Sequence, residues 1–294
     1  MSRHSSQSGI LAPVPKFARY LMFSYESDTA DARAALAPLI DVVDGENSVL
    51  GIGPSLVAAL GGEIPGLRPF PSMTGPGFDI PSHQSALWIW LRGDDKGELH
   101  HRSREIEQAL AMDFQLNEVL DSFMHLDSRD LTGYEDGTEN PQDEEAIKAA
   151  IVQSEGAGLD GASFVAVQQW LHDFDLFDAM TEEEQDNSFG RRRSDNEELS
   201  AAPVSAHVKR AAQESFDPEA FMLRRSMPWV EGNQAGLNFV SFVHSLDIYE
   251  AILKRMTGQE DGIHDALFNF TRPISGAYFW CPPMRDGKLD LSAL

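Results

Sequence analysis

The chain is poor in cysteine, and it lacks the sequence features that direct a protein to a membrane. Cys281 is the single cysteine among 294 residues, which excludes an internal disulfide. It ends the apolar run Ala277–Cys281, where a thiol usually serves as a small buried hydrophobe, so we predict a structural role. No apolar run is long enough to span a bilayer, and the first twenty residues contain neither a signal-peptide core nor a twin-arginine pair. These absences predict a cytoplasmic location.

Positive charge is also scarce. The chain has 23 Lys and Arg against 47 Asp and Glu, a formal net charge of −24. A phosphate partner needs clustered cations, so nucleic acid and anionic membrane surfaces are excluded as partners. The exception is the run 191–193, three arginines that could form a solvated turn in an acidic loop or hold the carboxylates of a ligand. A hydrophobic fraction of 42% with 24% charged residues is typical of a folded protein.

The periodicity of apolar residues predicts the same order of elements twice. The first half contains a strand, a helix, two strands, a helix and a strand, over residues 17–25, 28–42, 48–52, 86–91, 101–112 and 116–125. The second half has strands over 163–171, 220–226, 236–244 and 274–281, with a short helix after the first strand and a helix over 245–257. Asp247 and Glu250 give that last helix a start resembling a capping box.

Each half therefore has the β-α-β-β-α-β order of a ferredoxin-like fold, and we predict an α+β protein with two such halves and antiparallel sheets. The predicted divisions are a flexible lead-in over 1–15, an N-terminal half over 16–130 and a C-terminal half over 131–294. Two long polar insertions, 126–160 and 181–215, interrupt the pattern. Long loops of this kind are often functional.

The first insertion contains the segment 133–141, which reads G-Y-E-D-G-T-E-N-P. Glycines on both sides of Asp136 permit positive φ, so the carboxylate can project from a tight turn close to a flat ligand. A solvated surface loop would have the same composition. A calcium loop is excluded, because Pro141 stands where an EF-hand needs glycine and Ile147 where it needs glutamate.

The segment G-x-x-D-G resembles the motif of the dye-decolourising peroxidase family. His207 in S-A-H-V-K-R and Arg224 before Met227-Pro228 follow in the family's order, and the resemblance runs from about residue 17 to 283. It implies a haem b peroxidase of the compact bacterial type, with its haem pocket in the C-terminal half. Such an enzyme reduces hydrogen peroxide, forms a ferryl haem, and oxidises dyes, phenols or other donors by one electron at a time.

The resemblance also assigns roles to individual residues. His207 matches the proximal iron ligand, and Asp265 matches the carboxylate that accepts its second ring proton. Asp136 would move a proton across hydrogen peroxide on the opposite face, and Arg224 would stabilise the charge that develops as the O–O bond breaks. Alternation along a strand turns Arg225 the other way, and we predict that it is a surface ion-pair residue.

Further residues are expected around the cofactor. Gly190-Arg191 resembles the segment whose arginine approaches a haem propionate, and Ser226 could hold a water beside Arg224. The same edge of the pocket would be lined by Gly137, Thr138, Glu139 and Asn140. Three aromatics, Trp229, Tyr278 and Trp280, could relay electrons or simply fill the core. The other histidines, including His172 at the end of a predicted strand, form no metal-ligand spacing with cysteine.

Three other functions use the same features. The chain could be a haem-handling protein that releases iron from haem or oxidises porphyrinogens, a non-catalytic haem carrier, or an interaction protein without a cofactor. A carrier has no need of an acid–base residue paired with a cation, so Asp136 and Arg224 favour the enzyme. By family analogy the chain forms a homo-oligomer. Residues 291–294 follow closely on the last predicted strand, so no long tail for packaging in a protein shell is evident.

Overall fold

The structure, a computed structural model, describes residues 4–26, 33–75 and 77–294. The elements of the first part of the chain are β1 His4–Ser5, α1 Ser8–Leu11, β2 Phe17–Tyr25, a 3-10 turn Ala34–Leu36, α2 Leu39–Val42, β3 Ser48–Ile52, α3 Pro54–Ala59, β4 Met73–Gly75, β5 Phe78–Ile80, β6 Leu87–Gly93, α4 Lys96–Leu110 and β7 Phe114–Phe123. Those of the second part are α5 Asp143–Ala150, β8 Ser163–His172, α6 Phe174–Ala179, α7 Glu182–Phe189, α8 His207–Arg210, a 3-10 turn Gln213–Ser215, β9 Leu223–Arg224, β10 Met227–Glu231, β11 Gln234–Val243, α9 Leu246–Met256, a 3-10 turn Ala266–Asn269, β12 Thr271–Pro273, β13 Ala277–Cys281, β14 Met284–Arg285 and β15 Lys288–Leu289.

One large antiparallel sheet organises the molecule. Within the described residues it has ten strands in the order β12-β8-β13-β3-β6-β2-β7-β10-β11-β9, and β11 also pairs with β8. That extra pairing runs from Gly236↔Leu171 to Val243↔Phe164 and closes the sheet onto itself. Between the two halves of the chain, one residue pair is in register at each junction, Trp229↔Ser122 and Trp280↔Ile52. The predicted α+β class with antiparallel pairing is confirmed.

The N-terminal elements follow the predicted pattern closely. Strands β2 and β3 have the predicted bounds. Helix α4 begins earlier than predicted, because Asp95 accepts hydrogen bonds from the amides of Gly97 and Glu98 and caps it there. Part of the helix predicted over 28–42 lies outside the described residues. The remainder is a 3-10 turn and the short α2, separated by Pro38, which cannot donate a backbone hydrogen bond.

Two predicted elements of the C-terminal half differ. The start of α9 was assigned to Asp247 and Glu250, but Ser245 caps the helix, and both carboxylates accept hydrogen bonds from Arg68 instead. The strand predicted over 220–226 is the two-residue β9, with β10 following as a separate strand. The strand predicted over 274–281 begins at Ala277. Within the described residues, no helix is long and apolar enough to cross a bilayer.

Residues 4–15, predicted as part of a flexible lead-in, lie against both halves of the chain. Gln7 is 0% exposed. Its side-chain amide donates to the carbonyls of Leu50 and Pro282 and accepts from the amide of Leu50. A polar side chain can be buried here because distant segments of the chain supply its hydrogen-bond partners. The composition of residues 4–15 does not indicate such partners.

Alternation along β2 separates two apolar clusters. Leu21 and Phe23 enter the cluster beneath the helices, whereas Ala18 and Tyr20 enter the other cluster of the closed sheet. Cys281 is fully buried in the second cluster, and burial raises the pKa of its thiol, which supports the structural role predicted for it. The three aromatics considered as relays, Trp229, Tyr278 and Trp280, are also core residues.

Candidate active site

A cavity of about 320 Å³ lies between the β8–β11 face of the sheet and the helices that cover it. This volume is within the range of ~300–1,000 Å³ that small-molecule and cofactor pockets occupy. Its walls are mostly apolar, and are formed by residues of β8, β11, α7, α9 and the 3-10 turn after Asp265, among them Trp170, Phe189, Leu237, Phe239, Ile252, Leu253, Met256, Leu267 and Phe270.

The G-x-x-D-G loop forms one polar wall of this cavity. Gly133 and Gly137 have φ of +91° and +85°, which confirms the left-handed backbone predicted for them. The amide of Asp130 donates to the Tyr134 carbonyl at 2.8 Å, and the Asp136 amide donates to Ser128 at 3.2 Å. These bonds fold the loop back on itself, and the Asp136 side chain at its turn lines the cavity.

The structure brings Asp136 and Arg224 together, as predicted. Oδ1 of Asp136 lies 3.9 Å from Nη1 of Arg224, and the two side chains are 22% and 12% exposed. Nε of Arg224 is buried and, among the described residues, has no hydrogen-bond partner. A permanently charged donor with an unused N–H can accept a negatively charged oxygen at little reorganisation cost.

Asn140 holds the backbone of Arg224 in place. Its amide oxygen accepts from the Arg224 amide at 2.8 Å, and its amide nitrogen donates to the Arg224 carbonyl at 3.0 Å. We predicted Asn140 at the cofactor edge, but its side chain is occupied by these two bonds and does not line the main cavity. The side-chain amide of Asn140 instead makes the two hydrogen bonds to the Arg224 backbone that a neighbouring strand would make.

The imidazole of His207 also lines the cavity, at the first residue of α8. Its Nδ1 lies 2.7 Å from Oδ2 of Asp265, as predicted. Asp265 is 0% exposed, and its Oδ1 accepts from the Leu267 amide at 2.9 Å. The buried carboxylate therefore holds Nδ1 as the protonated nitrogen, which leaves Nε2 free to ligate.

The arginine run divides between two roles. Arg191 lines the cavity and pairs with Glu139, 2.6 Å between Nη2 and Oε1. Arg192 is exposed and pairs with Asp195 and Glu197, so it is the solvated turn residue. Next to Arg191, the side-chain amide of Asn196 donates to Thr138 and Glu135, both at 2.8 Å, so Thr138 also lies at this edge.

Arg225 is not the surface ion-pair residue predicted for it. It faces away from Arg224, as alternation predicted, but it is buried and donates to the carbonyls of Ile10, Leu11 and Arg224. Burial and then the nearby Arg92 lower its pKa to about 10. The amino-terminal segment supplies the acceptors, which the sequence of β9 alone does not indicate. Ser226 lines a second cavity beside Arg224 rather than the main one.

Sequence reasoning missed a second buried histidine–carboxylate pair in the cavity wall. Nε2 of His172 lies 3.0 Å from Oδ2 of Asp130, and its Nδ1 lies 2.6 Å from the Thr271 hydroxyl. Burial raises the pKa of Asp130, but its interactions with His172 and hydrogen bonds from Thr132 outweigh burial and lower it. The available signal was an aspartate directly before the glycine motif and a histidine at a strand end.

These residues fit the haem that the resemblance implies. A mostly apolar cavity is lined by His207, whose Nδ1 is engaged by the Asp265 carboxylate, and by the cation of Arg224 on β9 and the carboxylate of Asp136 on the motif loop. Nε2 of Gln168 is a further buried nitrogen with no partner in the described part of the chain. Buried polar atoms are rarely left unsatisfied, so unpaired nitrogens at a cavity wall indicate that it contacts a polar ligand or water.

Comparison with known proteins identifies the family. The family model for the C-terminal part of Dyp-type peroxidases matches residues 127–286. Over 293 residues the chain is 27% identical to a dye-decolorizing peroxidase of Rhodococcus erythropolis, covering 93% of this chain and 85% of the relative. A weaker similarity, 26% over 184 residues, links it to a deferrochelatase of Escherichia coli, covering 52% of this chain and 42% of that protein.

Solved structures agree with this result. A Shewanella oneidensis protein described as a Dyp-type peroxidase superposes with a TM-score of 0.88 at 29% identity, covering 96% of both chains. A variant of Rhodococcus jostii DypB, solved in complex with haem, superposes with a TM-score of 0.84 at 26% identity, covering 93% of this chain and 94% of that one.

Proposed function

The chain belongs to the Dyp-type peroxidase family and is a haem-dependent peroxidase, and from this premise we propose that Asp136 and Arg224 are its catalytic residues and His207 its iron ligand. The observation that carries the proposal is the Asp136–Arg224 pair in the same cavity as His207. A haem carrier would need the histidine but neither member of that pair.

Haem b would be held through Nε2 of His207. When bound, it would supply the iron at which hydrogen peroxide reacts and the oxidising equivalents passed to a donor. Asp265 would fix the tautomer and orientation of the imidazole through the 2.7 Å contact and increase its electron donation to the iron. Arg191 would contact a propionate, and Gly137, Thr138 and Glu139 would line the same edge, which agrees with their place around the cavity.

Asp136 would carry the proton. As a carboxylate it accepts a proton from one oxygen of hydrogen peroxide and returns it to the other oxygen, which leaves as water. Arg224 would stabilise the negative charge that develops on the departing oxygen, through its Nη1 and its unused Nε. At 3.9 Å the two side chains are not hydrogen-bonded to each other, so the donors of Arg224 and the oxygens of Asp136 remain available to a substrate.

The test is rapid mixing of the haem-loaded protein with hydrogen peroxide, followed by absorbance. We expect Asp136→Asn and Arg224→Met each to slow the reaction by about 10²–10⁴-fold, and His207→Ala to impair haem binding. Arg192→Met is the matched control, because this arginine is exposed and its ion pairs lie outside the cavity. Peroxide rates equal to wild type in both catalytic variants would overturn these assignments.

Haem handling is the second candidate, because half of the chain is similar to a deferrochelatase. Release of iron from haem leaves a free porphyrin, which fluoresces, whereas peroxidase turnover leaves the haem intact and oxidises the donor. Incubation with haem and a reductant, with porphyrin fluorescence as the readout, separates the two. Metal-free porphyrin at a yield that depends on His207 would favour the second function.

We also propose that the closed sheet consists of two ferredoxin-like halves, divided near residue 130. The strand order β7-β2-β6-β3 in the first half and β13-β8-β11-β9 in the second supports this division, since each is the order 4-1-3-2 by position within its half. The cytoplasmic location and the homo-oligomer stay predictions.

A further inference from the structure

Two arginines are buried at the inner face of the closed sheet without a carboxylate bonded to either. Arg92 on β6 is 7% exposed, and Arg225, directly after β9, is 9% exposed. In the part of the chain that the structure describes, their side chains donate only to backbone carbonyls, those of Pro13, Glu46, Ile10, Leu11 and Arg224. Carbonyls satisfy the donors but do not neutralise the charge, and a buried charge without a counter-charge is costly.

The two guanidiniums also lie close enough to affect each other. Burial lowers the pKa of Arg225, and the nearby Arg92 lowers it further. Burial lowers the pKa of Arg92 as well, and the charges of Asp44 and Glu46 oppose this effect only in part. Asp44 already accepts hydrogen bonds from the backbone amides of residues 46–48, and Glu46 is exposed. The nearest carboxylates therefore do not compensate the buried charge.

The inner face of the same sheet carries several polar atoms that are buried and unpartnered. Strand pairing places Tyr20 opposite Trp90, and Ala18 between Arg92 and Ser122. Alternate residues of a strand share a face, so these side chains point to the same side of the sheet. Among the described residues, six of their polar atoms and those of two neighbours have no hydrogen-bond partner: Tyr20 Oη, Trp88 Nε1, Trp90 Nε1, Arg92 Nε, Ser122 Oγ and Asn238 Nδ2.

The rings group these atoms around Tyr20. The centroid of its ring lies 6.0 Å from that of Trp88 and 6.2 Å from that of Trp90, and the guanidinium carbon of Arg92 lies 4.8 Å from the Trp90 ring. Burial raises the pKa of the Tyr20 phenol, and Asn238 and Arg92 oppose this, so both lie near its hydroxyl. Within the described residues no hydrogen bond joins the Tyr20 hydroxyl to the Asn238 amide, which leaves both able to bind a third group.

The unpartnered atoms share one chemical property, which is that they donate. Indole, guanidinium and amide nitrogens can only donate, and a phenol or serine hydroxyl can also donate. A water molecule would satisfy such donors but would not balance two buried guanidiniums. An anion does both. Because protein interiors are packed with few voids larger than a water molecule, a halide-sized anion fits this position better than a phosphate does.

We propose that the inner face of the closed sheet binds a small inorganic anion of the size of chloride, held by Arg92 Nε, Tyr20 Oη and Asn238 Nδ2. The anion would balance the charges of Arg92 and Arg225. Leu237 and Phe239, on either side of Asn238, line the main cavity, so the anion site lies on the other face of β11. The inference is independent of the proposed function.

The anion would also stabilise the strand that carries the proposed catalytic arginine. Arg225 donates to the Arg224 carbonyl at 3.1 Å and to the carbonyls of Ile10 at 3.2 Å and Leu11 at 2.9 Å. It can make these bonds only while its guanidinium is held in the interior. A counter-charge beside Arg92 lowers the cost of keeping both arginines there.

Anomalous diffraction tests the site directly, because chlorine gives a measurable anomalous signal at long wavelength and the oxygen of a water does not. Crystals of the haem-loaded full chain grown in chloride should show a peak between Arg92 and Tyr20. Protein purified and crystallised in bromide should show a peak at the same position at the bromine edge. The sulfur of Met227, in the same apolar cluster, is the internal reference. Density without an anomalous signal in both crystals would identify a water and overturn the proposal.

Thermal unfolding tests the site in solution. Chloride is varied at constant ionic strength against gluconate, which is too large for the interior. A ligand bound only by the folded state raises the unfolding midpoint, here by roughly 2–5 °C for each tenfold increase in chloride above the dissociation constant. Arg92→Met should abolish this dependence. Tyr20→Phe, which keeps the shape of the side chain, should require about tenfold more chloride for the same stabilisation.

Tyr278→Phe is the matched control, because Tyr278 is also fully buried but lies in the apolar cluster beneath the helices. We expect it to keep the chloride dependence of the wild type. A midpoint of the wild type that is indifferent to chloride would overturn the proposal. The same conclusion would follow if Tyr20→Phe and Tyr278→Phe both responded to chloride as the wild type does, since the ion would then act elsewhere.

Discussion

The spacing of the proposed catalytic pair distinguishes it from the bidentate Arg19–Asp121 ion pair of the same chain. Arg19 donates twice to Asp121, with both contacts at 2.7 Å, and so uses the fork of its guanidinium. Arg224 and Asp136 approach only to 3.9 Å. The donors of Arg224 and the carboxylate oxygens of Asp136 are not saturated by each other, so both groups can act on a third molecule placed between them.

Asn140 offers a test of how far catalysis depends on the position of Arg224. Asn140→Asp keeps the acceptor for the Arg224 amide but places a carboxylate oxygen against the Arg224 carbonyl, where the amide now donates. A displacement of about 1 Å at a catalytic group can cost ~10²-fold in rate. We therefore expect the peroxide reaction to slow by about one to two orders of magnitude, with haem binding retained.

Rapid-mixing absorbance measures that rate, and Asn117→Asp is the control, because Asn117 is exposed on β7 and lines neither cavity. A wild-type rate for Asn140→Asp would mean that other contacts, such as the bond from Arg225, hold the Arg224 backbone without help.

Asp265 should control the electronic properties of the site through His207. Asp265→Asn keeps an oxygen near Nδ1 but removes the negative charge, so the imidazole donates less to the iron. We expect a higher ferric–ferrous reduction potential, a lower iron–histidine stretching frequency in the resonance Raman spectrum, and a loss of roughly 10–100-fold in haem affinity or activity.

Asp261→Asn is the matched control for that prediction. Asp261 also forms a close ion pair, but its partner is Arg210 rather than His207, and it is exposed. Equal reduction potentials for the wild type and Asp265→Asn would show that the carboxylate only orients the ring.

At the scale of elements, the Asp130–His172 contact ties the motif loop to the end of β8, and Thr271 extends the connection to β12. The Asp130 pKa is lowered in the folded protein. An unfolded aspartate titrates near pH ~4. The folded state is therefore stabilised by this group above pH ~4, and the contribution is lost as the pH falls through the lower folded value.

Asp130→Asn should remove this contribution at every pH. We expect the variant to lose about 1–3 kcal/mol in the free energy of unfolding at neutral pH, with the difference from wild type shrinking as the pH falls below ~4. Urea unfolding measured across this range gives the comparison, and Asp79→Asn, at an exposed position on β5, is the control. A difference that is constant with pH would contradict the lowered pKa.

The sequence predicted those elements in which apolar and polar residues alternate, or which begin or end next to a proline or glycine. Phe17–Tyr25 alternates between the two clusters and follows Pro15, and its bounds were predicted. The positive φ of Gly137 and the partnership of Asp265 with His207 were also predicted, the latter only through resemblance. Asn140 illustrates what such signals miss, because its partner lies 84 positions away in the chain.

Burial of Gln7, Arg225 and His172 could not be predicted for the same reason. Each is a polar residue whose hydrogen-bond partners come from distant segments: β3 for Gln7, the amino-terminal segment for Arg225 and the motif loop for His172. Composition assigns such residues to the surface, since polar side chains are buried only when their bonds are satisfied.

At the scale of the whole molecule, the closed sheet joins the two halves of the chain through short strand pairings. The β8–β11 pairing is long and lies within the C-terminal half, whereas the register between halves is one residue pair at each junction. The amino-terminal segment adds bonds across them, from Gln7 to Pro282 and from Arg225 to Leu11. Because Val14 of this segment lines the second cavity beside Arg224, the segment contributes to the surroundings of the site despite its distance from it in sequence.

The net charge of −24 should select among electron donors before any contact with the cavity. A field of one sign raises the local concentration of opposite charges and changes association rates by ~10–10³-fold, and salt screens it. Three phenols with the same reactive group separate charge from chemistry: tyramine is cationic, 4-ethylphenol is neutral and 3-(4-hydroxyphenyl)propionate is anionic at pH 7.

We expect kcat/KM at low salt to decrease in the order tyramine, 4-ethylphenol, 3-(4-hydroxyphenyl)propionate, and the three values to converge as salt is added, falling for the cation and rising for the anion. Hydrogen peroxide is neutral, so its own reaction rate is the internal control and should not change with salt. If the cationic and anionic phenols respond to salt alike, local contacts at the donor site outweigh the field. The Arg191–Glu139 pair at the cavity edge would then be the first place to look, since it presents both charges to an incoming donor.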